Sequence, residues 1–177
     1  MKQFSFAILV GATILFSAFT VNNSINWKIT DDYSIKFKGT DAEGIFKKMS
    51  GDISFNEKDL TTSKFAVSID VASINTGNGM KNKHAVSNKW FDAEKYPSIT
   101  FTSSKISKSA KGYKVDGTLE MHGTKKQVSI PFTFTSNTFK GKFSVNRMDF
   151  GIGTMKGMSK KVSNKIELEI SVPVSKK

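Results

Sequence analysis

The sequence predicts an all-β protein built on one large antiparallel sheet. Three observations carry that expectation. Apolar and polar residues alternate over eight or nine successive runs, the period of half-buried strands. Short turn sequences such as Lys111-Gly112, His122-Gly123-Thr124 and Ser136-Asn137 separate the runs. Only one stretch, Met80 to Phe91, reads as a helix.

In chain order, Met1 to about Thr20 precedes the fold. Lys2 stands before an apolar run from Phe4 to Phe19, the layout of a secretory signal peptide. The run is short for a membrane span, which needs about 20 apolar residues, so cleavage is expected over a retained anchor. The mature domain is then residues 21–177, in a periplasmic or secreted location. The first alternations are Ile25, Trp27 and Ile29, then Tyr33, Ile35 and Phe37. A further strand leads from Gly44–Gly51 into Ile53 and Phe55, and Phe65 to Val71 forms the next.

Asn75-Thr76-Gly77-Asn78-Gly79 breaks that strand, because Gly and Asn tolerate positive φ. Met80 to Phe91 follows without Gly or Pro, with Val86 and Trp90 one helical turn apart. Tyr96-Pro97 ends the segment, since the residue before proline avoids the α region. Alternation resumes at Ile99, Phe101 and Ser103, and then from Tyr113 through Leu119 to Met121. It continues through Val128, Ile130, Phe132 and Phe134, then Phe139, Gly141, Phe143 and Val145, and ends with Val162 to Val172. Consecutive half-apolar strands make an antiparallel sheet, which at this size closes into a barrel or doubles into a sandwich.

Four segments, in order, decide between those two. Ser73-Ile74, Thr76-Gly77-Asn78, His84, Phe91-Asp92 and Tyr96-Pro97-x-Ile99-x-Phe101 resemble the YceI-like family. Gly117 to Lys126 resembles its strand–turn–strand segment, with one residue fewer between Gly123 and Lys125. Arg147-Met148-Asp149-Phe150-Gly151-Ile152 resembles its Arg-x-Asp-Phe-Gly-Ile segment, and the last alternating strand fits as well. The chain departs at Lys81-Asn82, where the family has Arg-Asp, at Ala85 for Leu, and at Trp90 for Phe. The resemblance implies a lipocalin-like eight-stranded β-barrel with a short α-helix near one mouth. It also implies a secreted bacterial protein holding an isoprenoid chain, such as a prenyl phosphate or a quinone tail.

Enzymatic chemistry lacks residues. With no cysteine, thiolate nucleophiles and Cys-ligated metals are excluded. His84 and His122 stand on different elements with no HExxH, and no GxSxG exists. No cofactor is expected. Gly151 to Gly157 matches no phosphate-binding loop and reads as a flexible loop, and His122 as a solvated turn residue.

Binding is better supplied. Phe37, Phe55, Phe65, Val67, Ile69, Phe101, Leu119, Met121, Phe132, Phe134, Phe143 and Val145 fall on inward positions, with Trp90 and Phe91 beside the helix. They fill a core or surround the tail of a long-chain isoprenoid or quinone-like lipid, and the pattern serves either. For the polar head, the candidates are Asn78, Lys81 and His84 on the helix and Arg147, the sole arginine. His84 serves equally as a surface residue, and Arg147 as an Arg–Asp pair holding a loop.

The net charge is +12, nearly all of the positive charge being lysine. Outward lysines such as Lys36, Lys38, Lys114, Lys140, Lys142 and Lys165 protect edges and solubility. They also suit contact with an anionic membrane surface. Scattered rather than interleaved with exposed aromatics, they do not suit nucleic acid. The leading expectation is non-catalytic lipid binding in the bacterial envelope. Its rival is a basic adaptor that binds polyanions or a protein through its surface, with a packed interior.

Overall fold

The computed structural model describes residues 24–155 and 157–177; the expected leader over residues 1–20 lies outside them. Eleven strands and one α-helix follow one another: β1 (Asn26–Ile29), β2 (Ser34–Gly39), β3 (Ala42–Phe46), β4 (Met49–Ser54), β5 (Lys64–Asp70), β6 (Ile74–Asn75), α1 (Gly79–Val86), β7 (Ser98–Ser109), β8 (Gly112–Met121), β9 (Thr124–Thr135), β10 (Thr138–Asn146) and β11 (Lys165–Lys176). Eight of them close a ring, β1-β4-β5-β7-β8-β9-β10-β11 and back to β1, antiparallel at every step. The expected eight-stranded barrel is formed, and closure leaves the ring without a free edge.

The three remaining strands hang from β11. Its first half pairs with β2, Leu168 opposite Phe37, and its last residues pair with β1, Val174 opposite Ile29. β2 pairs with β3 and β3 with the two-residue β6. The single strand expected to run from Gly44 to Phe55 is therefore two, with a corner at Lys47-Lys48. Tyr33 and Ser73 hold that corner. The Tyr33 hydroxyl donates to the Lys47 carbonyl and accepts from the Met49 N–H, each at 2.9 Å. Ser73 Oγ accepts from the N–H groups of Lys47 and Lys48.

The prolines sit where pairing begins, ends or changes partner. Pro97 immediately precedes β7. Pro173 falls where the neighbour of β11 changes from β2 to β1, and its carbonyl accepts from the Thr30 N–H at 3.1 Å. Pro131 stands one residue past the last rung between β9 and β10, which is Phe132 opposite Gly141. Its carbonyl points toward Gly141, so its ring nitrogen faces β10 without a proton to donate. Beyond that point β9 pairs only with β8, and β10 only with β11.

The helix is shorter than Met80 to Phe91. Asn78 caps its start, its side chain accepting from the Met80 and Lys81 N–H groups at 3.0 Å. Ser87 leaves the helical conformation and its hydroxyl bonds back to the His84 carbonyl at 2.7 Å, ending the element at Val86. Residues 87–92 continue as turns, with the Phe91 N–H donating to the Ala85 carbonyl.

One end of the barrel is packed shut. Phe55 is 1% exposed, with Phe65, Tyr113, Phe132, Phe134 and Phe139 around it at ring separations of 5.1 to 6.2 Å. Trp27 closes the group edge-on to Phe134 and donates its indole N–H to the Phe55 carbonyl at 2.9 Å. Edge-to-face aromatic packing of this kind adds to area burial. Tyr113 reaches outward from it to Glu57 at 2.8 Å, and burial, then that hydrogen bond, raises its pKa.

A candidate lipid-binding cavity and its mouth

Above the aromatic plug the barrel is hollow. A cavity of about 740 Å³ runs from a floor of Phe65, Phe132 and Phe139 to a mouth under α1. The period-2 alternation of the strands places Phe37, Val67, Ile69, Phe101, Leu119, Met121, Phe143 and Val145 on its wall. Several of these inward side chains, among them Val67, Ile69, Phe143 and Val145, are only half-buried, because they face the cavity rather than one another. Trp90 and Phe91 also line it, Phe91 packing edge-on to Phe46 at 6.1 Å. Phe55 and Phe134 do not reach it: both lie in the plug, where they are committed to other rings.

Lysines and one histidine gather at the mouth. Lys81 and His84, three residues apart on α1 and so on one face, line the rim. Lys89 and Lys161 join them, and the sequence reading had not singled these two out. All four are exposed, which leaves their charge and hydrogen-bonding capacity available to a ligand. Asp41, from the β2–β3 turn, and Glu43, near the start of β3, are the carboxylates on the lining. Asn78 is absent from it, its side-chain oxygen being occupied as the cap of α1.

Arg147 lines the cavity yet is 5% exposed and organises the loop that follows it. Nη1 donates to the carbonyls of Ile152 at 2.7 Å and Gly153 at 2.8 Å, and Nε to that of Ser163 at 3.1 Å. Nη2 donates to the Val162 carbonyl and the Asn164 side chain, each at 3.1 Å. Burial lowers its pKa from the ordinary arginine value. The expected Arg–Asp pair is not what holds the loop; Asp149 instead accepts from Asn146. The Trp90 ring lies 5.5 Å from the guanidinium and packs so close to Gly153, at φ +62°, that a Cβ there would overlap it. Gly151 to Gly153 is thus clamped rather than flexible, with Ile152 buried.

Replacing Arg147 with Lys or Met is expected to cost roughly 3–5 kcal/mol, since several carbonyls lose their donor and a single ammonium cannot replace a planar fork. Urea unfolding of the two variants checks this. Equal loss in both marks a structural clamp, whereas a Lys variant of normal stability that loses only ligand would mark a headgroup contact.

His122 is more than a solvated turn residue. With Gly123 it forms a two-residue turn at φ +52° and +73°, the twist that suits a hairpin. Its Nδ1 lies 3.0 Å from the Phe150 carbonyl and its ring 4.8 Å from that of Tyr96. It ties the β8–β9 turn to the segment that carries Arg147.

A family model for the YceI-like domain matches residues 22–174. A UPF0312 protein of Vibrio campbellii is 32% identical over 158 residues, covering 82% of this chain and 80% of that one. A UPF0312 protein of Yersinia enterocolitica is 30% identical over 139 residues, covering 73% of this chain and 71% of its own. Among solved structures, Burkholderia cenocepacia BcnA superposes with a TM-score of 0.74 at 30% identity, over 81% of this chain and 96% of that one. A polyisoprenoid binding domain from Saccharophagus degradans superposes with a TM-score of 0.64 over 86% of this chain and 99% of that one, at 15% identity, so there the likeness is one of fold. With the barrel, the mouth helix and the sequence match in agreement, the chain belongs to the YceI-like family.

Proposed function

We propose that this protein binds, without catalysis, a long-chain isoprenoid or similar amphiphilic lipid, its tail in the barrel and its polar head at the mouth. The observation that carries the proposal is the 740 Å³ cavity, hydrocarbon-walled below and cationic at its rim. That size lies within the range of small-molecule sites, and polar groups confined to one end suit a ligand with one polar end. The polyisoprenoid-binding description of the Saccharophagus degradans domain supports the same ligand class. The packed-interior adaptor is disfavoured, because the protein's own side chains do not fill the barrel.

Lys81, His84, Lys89 and Lys161 are the residues proposed to meet an anionic or hydrogen-bonding head, a prenyl phosphate or a quinone ring. The setting is the bacterial envelope, reached through the signal peptide of residues 1–20, and the role is carriage or storage.

Burying each CH₂ is worth about 0.8 kcal/mol, so a five-carbon unit contributes roughly 4 kcal/mol at most. Association costs on the order of 4–15 kcal/mol in lost freedom. One isoprene unit is therefore not retained and several are. Competition of prenyl phosphates of increasing length against an apolar fluorophore should show affinity rising more than tenfold per added unit until the cavity is full. The gain per unit should change little in high salt, since tail burial is not screened. Length-independent, salt-sensitive binding would instead favour docking through the basic surface.

A further inference from the structure

The end of the barrel that opens is also the end that carries the exposed large apolar side chains. Among the described residues these are Met80 at 67%, Met155 at 44% and Met148 at 39% exposure. Met80 stands on α1 beside Lys81, Met155 lines the mouth itself, and Met148 Sδ lies 3.2 Å from Nη1 of Arg147. The closed end has no counterpart among those residues.

The mouth is basic as well as apolar. Residues 71–91 and 150–166, which supply α1 and the loop opposite, contain seven lysines and no Asp or Glu. Lys81, Lys83, Lys89, Lys160 and Lys161 are exposed, and none joins an ion pair among the described residues. Some lysines elsewhere on the barrel wall do so, Lys114 with Asp116, Lys125 with Glu120 and Lys142 with Glu167, while others, such as Lys64 and Lys140, do not among the described residues. Asp41 and Glu43 are the carboxylates on the lining, and Asp92 and Asp149 directly follow the lining residue Phe91 and the exposed Met148.

From these two observations we infer that the protein docks mouth-first on an anionic bilayer surface. Met80 and Met155 enter the boundary between headgroups and acyl chains, and the lysines around them meet acidic headgroups. A lipid tail then passes between bilayer and cavity without crossing water. The passage rests on the lipid-binding proposal; the docking does not.

The test is co-sedimentation of the mature protein with vesicles of phosphatidylcholine alone or with phosphatidylglycerol at about a third of the lipid. Wild type should pellet with the anionic vesicles only, and less so as salt is raised. Reversal of two mouth lysines that do not line the cavity, Lys83→Glu with Lys160→Glu, should weaken binding at least tenfold. The same charge change at the closed end, Lys64→Glu with Lys140→Glu, should leave it within about twofold. Met80→Ser with Met155→Ser, which keeps the charge, should weaken it severalfold. Equal loss in the two lysine pairs, or equal binding to both vesicle types, would overturn the inference. Lipid carried by each protein, read by native mass spectrometry, separates the two proposals. A protein that pellets empty fails only the cavity reading, and one that holds lipid yet stays in solution fails only the docking.

Discussion

Val67→Trp combined with Leu168→Trp is expected to empty the barrel of lipid while the protein stays folded. The two residues stand on β5 and β11, separate strands of the ring, and both line the cavity. Both are half-buried, so an indole from either projects into open space. Two such rings, set on separate strands, would obstruct the bore of the 740 Å³ cavity without filling it. Overpacking a filled core costs about 1–3 kcal/mol per site, but filling a void does not carry that cost. The melting temperature should therefore stay within a few degrees of wild type while bound lipid falls more than tenfold, as read by extraction and mass analysis. Normal lipid content in a folded double variant would mean that the ligand lies outside the barrel.

Phe55→Ala should do the reverse. This ring is fully buried among five others, so its removal leaves a void bounded by rings that are themselves wedged against Trp27 and one another. The expected loss is about 3–5 kcal/mol in urea unfolding, the upper part of the range for core truncations. For a domain of this size that lowers the melting temperature by about 10 °C or more. Phe143→Ala, a cavity-wall residue already half-exposed, should cost clearly less and weaken lipid retention more. Equal stability losses at the two positions would mean that the barrel is packed throughout.

The contrast between Phe55 and Phe143 also marks where sequence pattern stops informing. Period-2 alternation tells which side of the sheet a residue faces, and it assigned both phenylalanines inward. It carries no information on depth along the barrel axis, so plug and wall look alike; only closure of the ring, with its shear, sets which inward residues meet across the centre. Strand existence was readable for the same reason that strand ends were not. The break at Lys47-Lys48 depends on Tyr33 and Ser73, distant in sequence, and no local breaker marks it.

The polar residues follow a different logic. Lys81 and His84 were readable because helical spacing puts them on one face. Asn78 directly precedes a helix, a strong capping signal, and its side-chain oxygen caps α1 rather than lining the cavity. Arg147 stands beside Asp149 in sequence, which suggested a pair; its acceptors are carbonyls up to 17 residues away, which no spacing rule anticipates. Lys89 and Lys161 carry no such signal, since the absence of carboxylates around them is shared by residues 95–115 and 121–148.

The most direct test of the central claim is native mass spectrometry of the protein purified from its own envelope, followed by organic extraction and lipid mass analysis. A one-to-one complex with a long-chain isoprenoid or quinone, lost in the Val67→Trp, Leu168→Trp variant, is the predicted result. A mass equal to the bare mature chain, with no lipid taken up from added prenyl phosphates, would contradict it.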